Sequence, residues 1–293
     1  MESLLEERWL GATALRRRVT LRSCFHAALT AAVAAATLVS VIPLVSVLIM
    51  VAAKGSAGFR PSLLWELPPG AGRSGGGFGN ALLGTLLILA VATAISVPGG
   101  VGTAIFLTEF PGHRRAARVV RFAAKTLSGL PSIMAGVFVF ATIVTATGKF
   151  SLFAGGLALA VLMLPIVTLA TEDALRRVPA PWREASLALG ATAAQTVIRV
   201  VIPAARSSIL TGISLALARA AGETAPLIFT ALFSDYWIQN LFEPTASLSV
   251  LIYNFSGVPF ANQLQLAWSA SLVLILGVLA TNVATQLVSR PKV

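Results

Sequence analysis

Four stretches of this chain, Ala27–Ala53, Ala81–Thr108, Thr126–Gly148 and Phe150–Thr171, carry no charged side chain, and Leu264–Val288 is a fifth. A helix needs about 20 predominantly apolar residues to cross a bilayer, and each stretch reaches that length. Inside lipid every backbone N–H and C=O must find its partner within the protein, and a helix provides this locally. A sixth apolar segment, Ser207–Ser234, carries Arg219 and Glu223 near its middle. A charge at the bilayer centre costs about 2.5–3.5 kcal/mol on insertion scales, so such residues usually face a bundle interior or a polar pathway. At i and i+4 the two share one face of a helix and can pair.

With 56% hydrophobic and 11% charged residues, the composition lies outside the range of soluble domains. Mean hydropathy is +0.85. Six spans in 293 residues leave little for a soluble domain. The expected fold is an all-α membrane protein with six transmembrane helices. It forms one domain over residues 27–288, between an Arg-rich segment at 1–26 and a tail at 289–293.

Orientation follows from the basic residues. Numbering the spans in order places the N-terminus, the 109–125 loop, the 173–206 loop and the C-terminus on one side. That side holds 17 Lys and Arg residues, against 4 on the other (Lys54, Arg60, Arg73 and Lys149). The positive-inside rule makes the basic side, with both termini, cytoplasmic. The formal charge of +11 is then a topology signal. Its distribution among short loops, with no basic domain, argues against nucleic-acid binding.

Arg16–Arg18 ahead of an apolar stretch imitate a signal peptide. The stretch is 27 residues long, against roughly 7–15 for a signal h-region, so an uncleaved first helix is expected. The single Cys24 excludes an intramolecular disulfide. His26 and His113 have no metal-ligand neighbours at useful spacing, so no metal site is expected. Trp65, Trp237 and Trp268 on the outer side, and Trp9 and Trp182 on the cytoplasmic side, suit interface anchoring. Glu172 and Asp173 read as caps of the fourth span. No catalytic set is visible. The only Gly-Lys pair, Gly148–Lys149, is followed by Phe150, so no Walker A loop is present. If transport is ATP-driven, another subunit binds ATP and Mg²⁺.

The loop from Arg176 to Ser208 is patterned beyond the needs of a connection. Pro179 and Pro181 end the fourth span and open a short helix, with Glu184 in its first turn. Trp182, Ala185, Leu187, Ala188 and Leu189 give it apolar surface, and Gly190 suits a left-handed terminator. Thr192 with Gln195 is a capping box for a second helix, expected to run to about Val201 and stop before Pro203. The residues alone fit a helix docking into a partner's groove about as well as one lying on the membrane.

Glu184-Ala185-Ser186, then Gly190, Val200, Ile202 and Pro203, resemble the EAA signature of bacterial ABC-importer permeases. Ser stands for the second Ala, and Val and Ile for the aliphatic pair. The resemblance implies a type I ABC-importer permease architecture with a cytoplasmic coupling helix. Trp182, Glu184, Ala185, Ser186, Leu189 and Gly190 would then meet an ATPase subunit. Four further strings resemble the PstA-type permeases of bacterial phosphate importers: Phe78–Ala81 with Gly84-Thr85, Ser128–Ile133, Ala218–Leu227, and Ser247–Asn254. In the last, Ser249 departs from the family's Pro. The resemblance covers roughly residues 75–285. It implies a heterodimer with a PstC-type permease, two PstB-type ATPase subunits, and a PstS-type binding protein that delivers inorganic phosphate at a bacterial cytoplasmic membrane.

The residues suit that substrate. Arg matches a phosphate's acceptor oxygens with a planar fork. Glu223 would hold Arg219 while the site is empty, and Thr224 offers a hydroxyl. Gly222 and Pro226 open the helix, and Ser128 and Ser132, placed at i and i+4, would line the same path. The bland account stays open for each: Arg219–Glu223 locking two helices, and the serines allowing close packing. The 235–263 segment either docks the binding protein or is an outer connection. A permease for sulfate, molybdate or another oxyanion shares the EAA-like loop. An autonomous secondary transporter would need an internal repeat, and a membrane-embedded enzyme would need a catalytic set. Neither feature is found.

Overall fold

The computed structural model describes residues 21–110 and 114–289. Residues 1–20, 111–113 (with His113) and 290–293, which include most of the Arg-rich segment and the tail, lie outside them. The chain divides into two compact units, Met1–Met50 and Val51–Val293. Within the first, the described residues belong to one helix, α1 (Leu21–Ala57), interrupted in composition only by Pro43.

The second unit is built from α2 (Gly79–Glu109), α3 (Arg114–Ser128), α4 (Ser132–Val139), α5 (Thr145–Thr147), α6 (Leu152–Arg176), α7 (Ala180–Ala188), α8 (Ala193–Thr196), α9 (Ile202–Ala221), α10 (Ala225–Ile228), α11 (Leu248–Ser256) and α12 (Ala261–Ser289). No strand occurs among the described residues. Five helices are long and apolar enough to cross a membrane, or six when the bent pair Arg115–Ser128 and Ser132–Thr147 counts as one span.

Helix α6 is the central rod. Ile88 and Ala92 of α2, Leu159, Met163 and Val167 of α6, and Ala216 and Ala220 of α9 form one buried cluster. Close approach depends on small residues, as expected where lipid provides no hydrophobic drive between helices. A Cβ on Gly100 of α2 would come within 2.8 Å of Val167, and one on Gly212 of α9 within 2.5 Å of Ala170. Ser151 caps α6 by accepting from the Ala154 amide at 3.1 Å.

Three helix boundaries differ from the sequence expectation. The third apolar run is not one straight helix from Thr126 to Gly148, because the chain bends by 106° between Arg115–Ser128 and Ser132–Thr147. Pro131 has no N–H to donate and disfavours helical backbone in Leu130. The residues before it, read as part of a loop and of the span, form α3. The fifth span does not run to Ser234, since α9 ends at Ala221 with Gly222 at its C-cap. The helix after Gly190 does not stop before Pro203. It passes from α8 through a π-helical turn, Val197–Val201, directly into α9. Pro203 falls in the first turn of α9. The wider turn accommodates a residue that cannot donate to the ladder.

Contacts gather the loops at two ends. Arg183 pairs with Glu109 and Arg121 with Glu172, which brings the 109–125 and 173–206 segments together. At the other end Lys54 Nζ lies 4.9 Å from the centre of the Trp268 ring, and Asn262 donates to the Arg73 carbonyl at 2.9 Å.

Candidate functional site

Arg219 occupies the last turn of α9, and Glu223 lies just beyond the helix end. Their closest approach is Nε to Oε1 at 3.7 Å, with side-chain exposures of 51% and 16%. At that distance they are an ion pair without a hydrogen bond, and half of the Arg219 side chain is open. The i and i+4 spacing does bring the charges together, although the helix has ended between them. The break is not at the end of the bundle. Ala218 and Ala221 line one pocket with Leu274 and Gly277, near the midpoint of α12.

Gly222 and Pro226 open the chain as the sequence suggests. The Gly222 amide turns back to the Arg219 carbonyl at 3.2 Å, and α10 restarts at Ala225 with Pro226 in its first turn. Thr224, half-buried, is the N-cap residue of α10 but makes no side-chain cap.

What holds this turn is a contact the sequence did not reveal. Ser249, in the first turn of α11, donates its hydroxyl to the Glu223 carbonyl at 2.9 Å, and its oxygen lies 3.2 Å from Ser247 Oγ. Ser247 also caps α11 by accepting from the Val250 amide at 3.3 Å. The Leu248 amide donates to Thr85 Oγ1 of α2 at 2.8 Å. Gly84, one residue earlier, leaves room for the Ala246 carbonyl and Thr245. Asn80 donates to the Ser234 carbonyl at 2.7 Å. From α4, Gly136 meets Pro226, where a Cβ would come within 2.6 Å of the Pro226 Cα. Two segments distant in sequence, α11 through Ser249 and α4 through Gly136, therefore meet the break that carries Arg219 and Glu223, and α2 is tied to the same turn of α11 through Thr85.

The two serines fare differently. Ser128 ends α3 and donates to the Lys125 carbonyl at 2.8 Å, whereas Ser132 begins α4, one turn before Gly136. The bend at Pro131 separates them, so they do not share one helix face.

At the basic end, α7 starts after Pro179 and ends before Gly190, whose φ is +86°. A Cβ there would meet nothing within 4 Å, so the requirement for Gly is conformational. Trp182, Leu187 and Leu189 are 54%, 50% and 89% exposed, and Glu184 and Ala185 are exposed as well. Glu184 sits one residue past the first turn, since α7 begins at Ala180. Ser186 Oγ lies 2.9 Å from Thr196 Oγ1 and ties α7 to α8. The Thr192–Gln195 capping box is present in full.

Sequence reasoning missed Arg183. Its guanidinium donates to Glu109 at 2.9 and 3.3 Å and to the carbonyls of Val178 and Leu175 at 2.7 and 3.0 Å. It therefore caps the end of α6 and fastens α7 to α2. Glu172, read as a simple cap, is instead buried between Arg121 at 2.6 Å and Arg176 at 2.7 Å. Among the described residues no group of three or more His, Cys, Asp or Glu side chains gathers as a metal site would.

Residues 96–291 match the family model described as the binding-protein-dependent transport system inner membrane component. The chain belongs to that family. The permease resembles the phosphate transport system permease protein PstA of Yersinia pestis, with 39% identity over 85% of this chain and 84% of that protein. It shares 40% identity with PstA 1 of Mycobacterium tuberculosis H37Rv, covering 85% and 82% of the two chains. The probable PstA of Methanocaldococcus jannaschii is 36% identical over 85% and 88%. Among solved structures, an inward-facing MetNI methionine ABC transporter aligns with a TM-score of 0.57 and 20% identity, over 79% of this chain and 98% of that one. A bacterial ABC transporter that imports alginate aligns with a TM-score of 0.61 and 13% identity, over 90% and 95%. These two show the fold: the permease has type I ABC-importer architecture, multi-pass in the membrane.

Proposed function

We propose that the chain is the PstA-type permease subunit of an ATP-driven inorganic phosphate importer and forms half of its membrane pathway. The observation that carries this reading is convergence. Strings that resemble phosphate-importer permeases, far apart in sequence, meet around one helix break: Ser249 holds the Glu223 carbonyl, Thr85 accepts from Leu248 in the same turn of α11, and α4, which begins inside the Ser128–Ile133 string, reaches Pro226 through Gly136.

Phosphate at neutral pH is a mono- or dianion with strong acceptor oxygens. Arg219 offers it a planar fork of donors, and the half-exposed guanidinium is held by Glu223 only at 3.7 Å. A phosphate oxygen accepting a charge-assisted hydrogen bond displaces that weak pairing at little cost. Thr224 adds a hydroxyl at the same turn. Ser132 stands on α4 one turn before Gly136, which meets Pro226, and Ser128 belongs to the path less directly. The lock account is weakened because the Glu223 carbonyl, rather than its side chain, joins α11.

In this reading the basic end and both termini are cytoplasmic. Trp182, Leu187 and Leu189 of α7 dock into a PstB-type ATPase, which binds ATP and Mg²⁺ and performs the hydrolysis. A PstC-type permease supplies the other half of the pathway, and a PstS-type binding protein delivers phosphate to the opposite end.

The test is phosphate and sulfate uptake in cells lacking this chain, complemented with variants. Wild type should restore phosphate uptake but not sulfate uptake. Arg219→Gln with Glu223→Gln should insert and assemble yet fail to transport, because removing both charges leaves no unpaired ion to disturb the fold. Arg219→Lys should recover little. Uptake near the wild-type rate in the double variant would show that the pair serves structure alone.

A further inference from the structure

We infer that α3 lies in the headgroup layer of the membrane at the basic end and binds anionic lipid along the face turned away from the bundle. Three observations lead there. First, α3 meets the uncharged Ser132–Thr147 segment at 106°, so with that segment in the hydrocarbon α3 does not continue along the same axis. A helix perpendicular to a spanning helix lies along the membrane plane.

Second, its rotation about its own axis is fixed. Arg121 donates Nε to Glu172 at 2.8 Å, and Ala124 is buried at 5% exposure. With those residues held on the bundle, helical periodicity puts Arg118 and Lys125, at i−3 and i+4 from Arg121, along its flank and Arg115 farther round, and all three are exposed. Third, the exposed face is also apolar. Val119 is 66% exposed and Phe122 is 72% exposed, and Ala123 is exposed beside them.

Basic residues flanking exposed apolar ones suit a helix buried to the depth of the headgroups, with cations pairing to anionic lipid and apolar groups reaching the acyl boundary. A water-facing helix would have no reason to present Phe122 and Val119. A protein partner of opposite charge is the rival occupant. Because Arg121 and Glu172 join α3 to α6, lipid held on α3 also steadies the end of α6 that leads into α7. This inference does not depend on the phosphate reading.

The test uses the full chain in a Cys24→Ser background, spin-labelled singly at Val119→Cys, Phe122→Cys or Ala123→Cys and reconstituted in vesicles with its co-purifying subunits. Asp235→Cys serves as an aqueous reference. Collision with oxygen and with a water-soluble nickel chelate reads the surroundings. We expect an oxygen-to-nickel ratio several-fold above the reference at all three sites in vesicles containing phosphatidylglycerol. That ratio should fall in pure phosphatidylcholine, and Arg115→Gln with Arg118→Gln and Lys125→Gln should abolish the difference between the two lipids. Nickel access equal to the reference would place the face in water and overturn the inference. Exclusion of both reagents with an immobilised label would place it against protein, with the same result. High oxygen access that ignores lipid charge would overturn the anionic preference.

Discussion

At the scale of single residues, Ser249 shows how a departure from a family pattern can carry a structural role. The pattern that Ser247–Asn254 resembles has Pro there, which suits the first turn of α11 but has no hydroxyl to offer. Here the hydroxyl holds the Glu223 carbonyl at 2.9 Å, and Ser249 is buried at 5% exposure. Ser249→Ala removes the donor and leaves that carbonyl without it, at a cost of about 1 kcal/mol. If the turn alternates between two arrangements, a bias of that size is worth roughly fivefold in their ratio. Phosphate uptake by Ser249→Ala should therefore fall several-fold while insertion stays normal. Uptake at the wild-type rate would show that the bond does not position the Arg219–Glu223 turn.

At the scale of elements, the apolar runs were legible because crossing a bilayer is a one-dimensional requirement on length and charge. The breaks were harder to place. Pro131 and Pro226 lie inside continuous apolar runs, where membrane helices often tolerate Pro, as α2 and α6 do at Pro98 and Pro165. Whether Pro bends or ends a helix there depends on neighbours that re-satisfy the backbone, and those neighbours come from distant sequence. The same limit hid Arg183, whose partner Glu109 is 74 residues away. Its two kinds of contact can be separated by mutation. Glu109→Gln keeps an acceptor and loses the charge, whereas Arg183→Met also strips the cation from two carbonyls at the end of α6. The first should cost about 0.5–1.5 kcal/mol and the second about 1–3 kcal/mol. In the reconstituted complex, Arg183→Met should hydrolyse ATP with less phosphate moved per ATP than Glu109→Gln. Equal coupling in both variants would remove any role for α7 anchoring in transport.

At the scale of the whole molecule, α6 connects the two ends of the second unit. At one end the amides of Ser151, Leu152 and Phe153 donate to the carbonyls of Thr230, Glu243 and Leu241, all within 3.0 Å. At the other, Glu172 and the carbonyls of Leu175 and Val178 hold Arg121, Arg176 and Arg183. The sequence foretold that 109–125 and 173–206 share an end, because successive spans alternate direction, and the Arg183–Glu109 contact agrees. Which end faces the cytoplasm is a separate question, and it decides whether α7 can meet an ATPase at all. Single cysteines in a Cys24→Ser background answer it through a membrane-impermeant maleimide. Leu189, 89% exposed beside Gly190, and Trp65, 61% exposed near the Lys54 end, both present accessible positions. In intact spheroplasts Trp65→Cys should label within minutes, and Leu189→Cys only after permeabilisation. Assembly with an ATPase should then slow the labelling of Leu189→Cys while leaving Trp65→Cys unchanged. The reverse order of labelling would put α7 outside the cell and sink the coupling role together with the orientation.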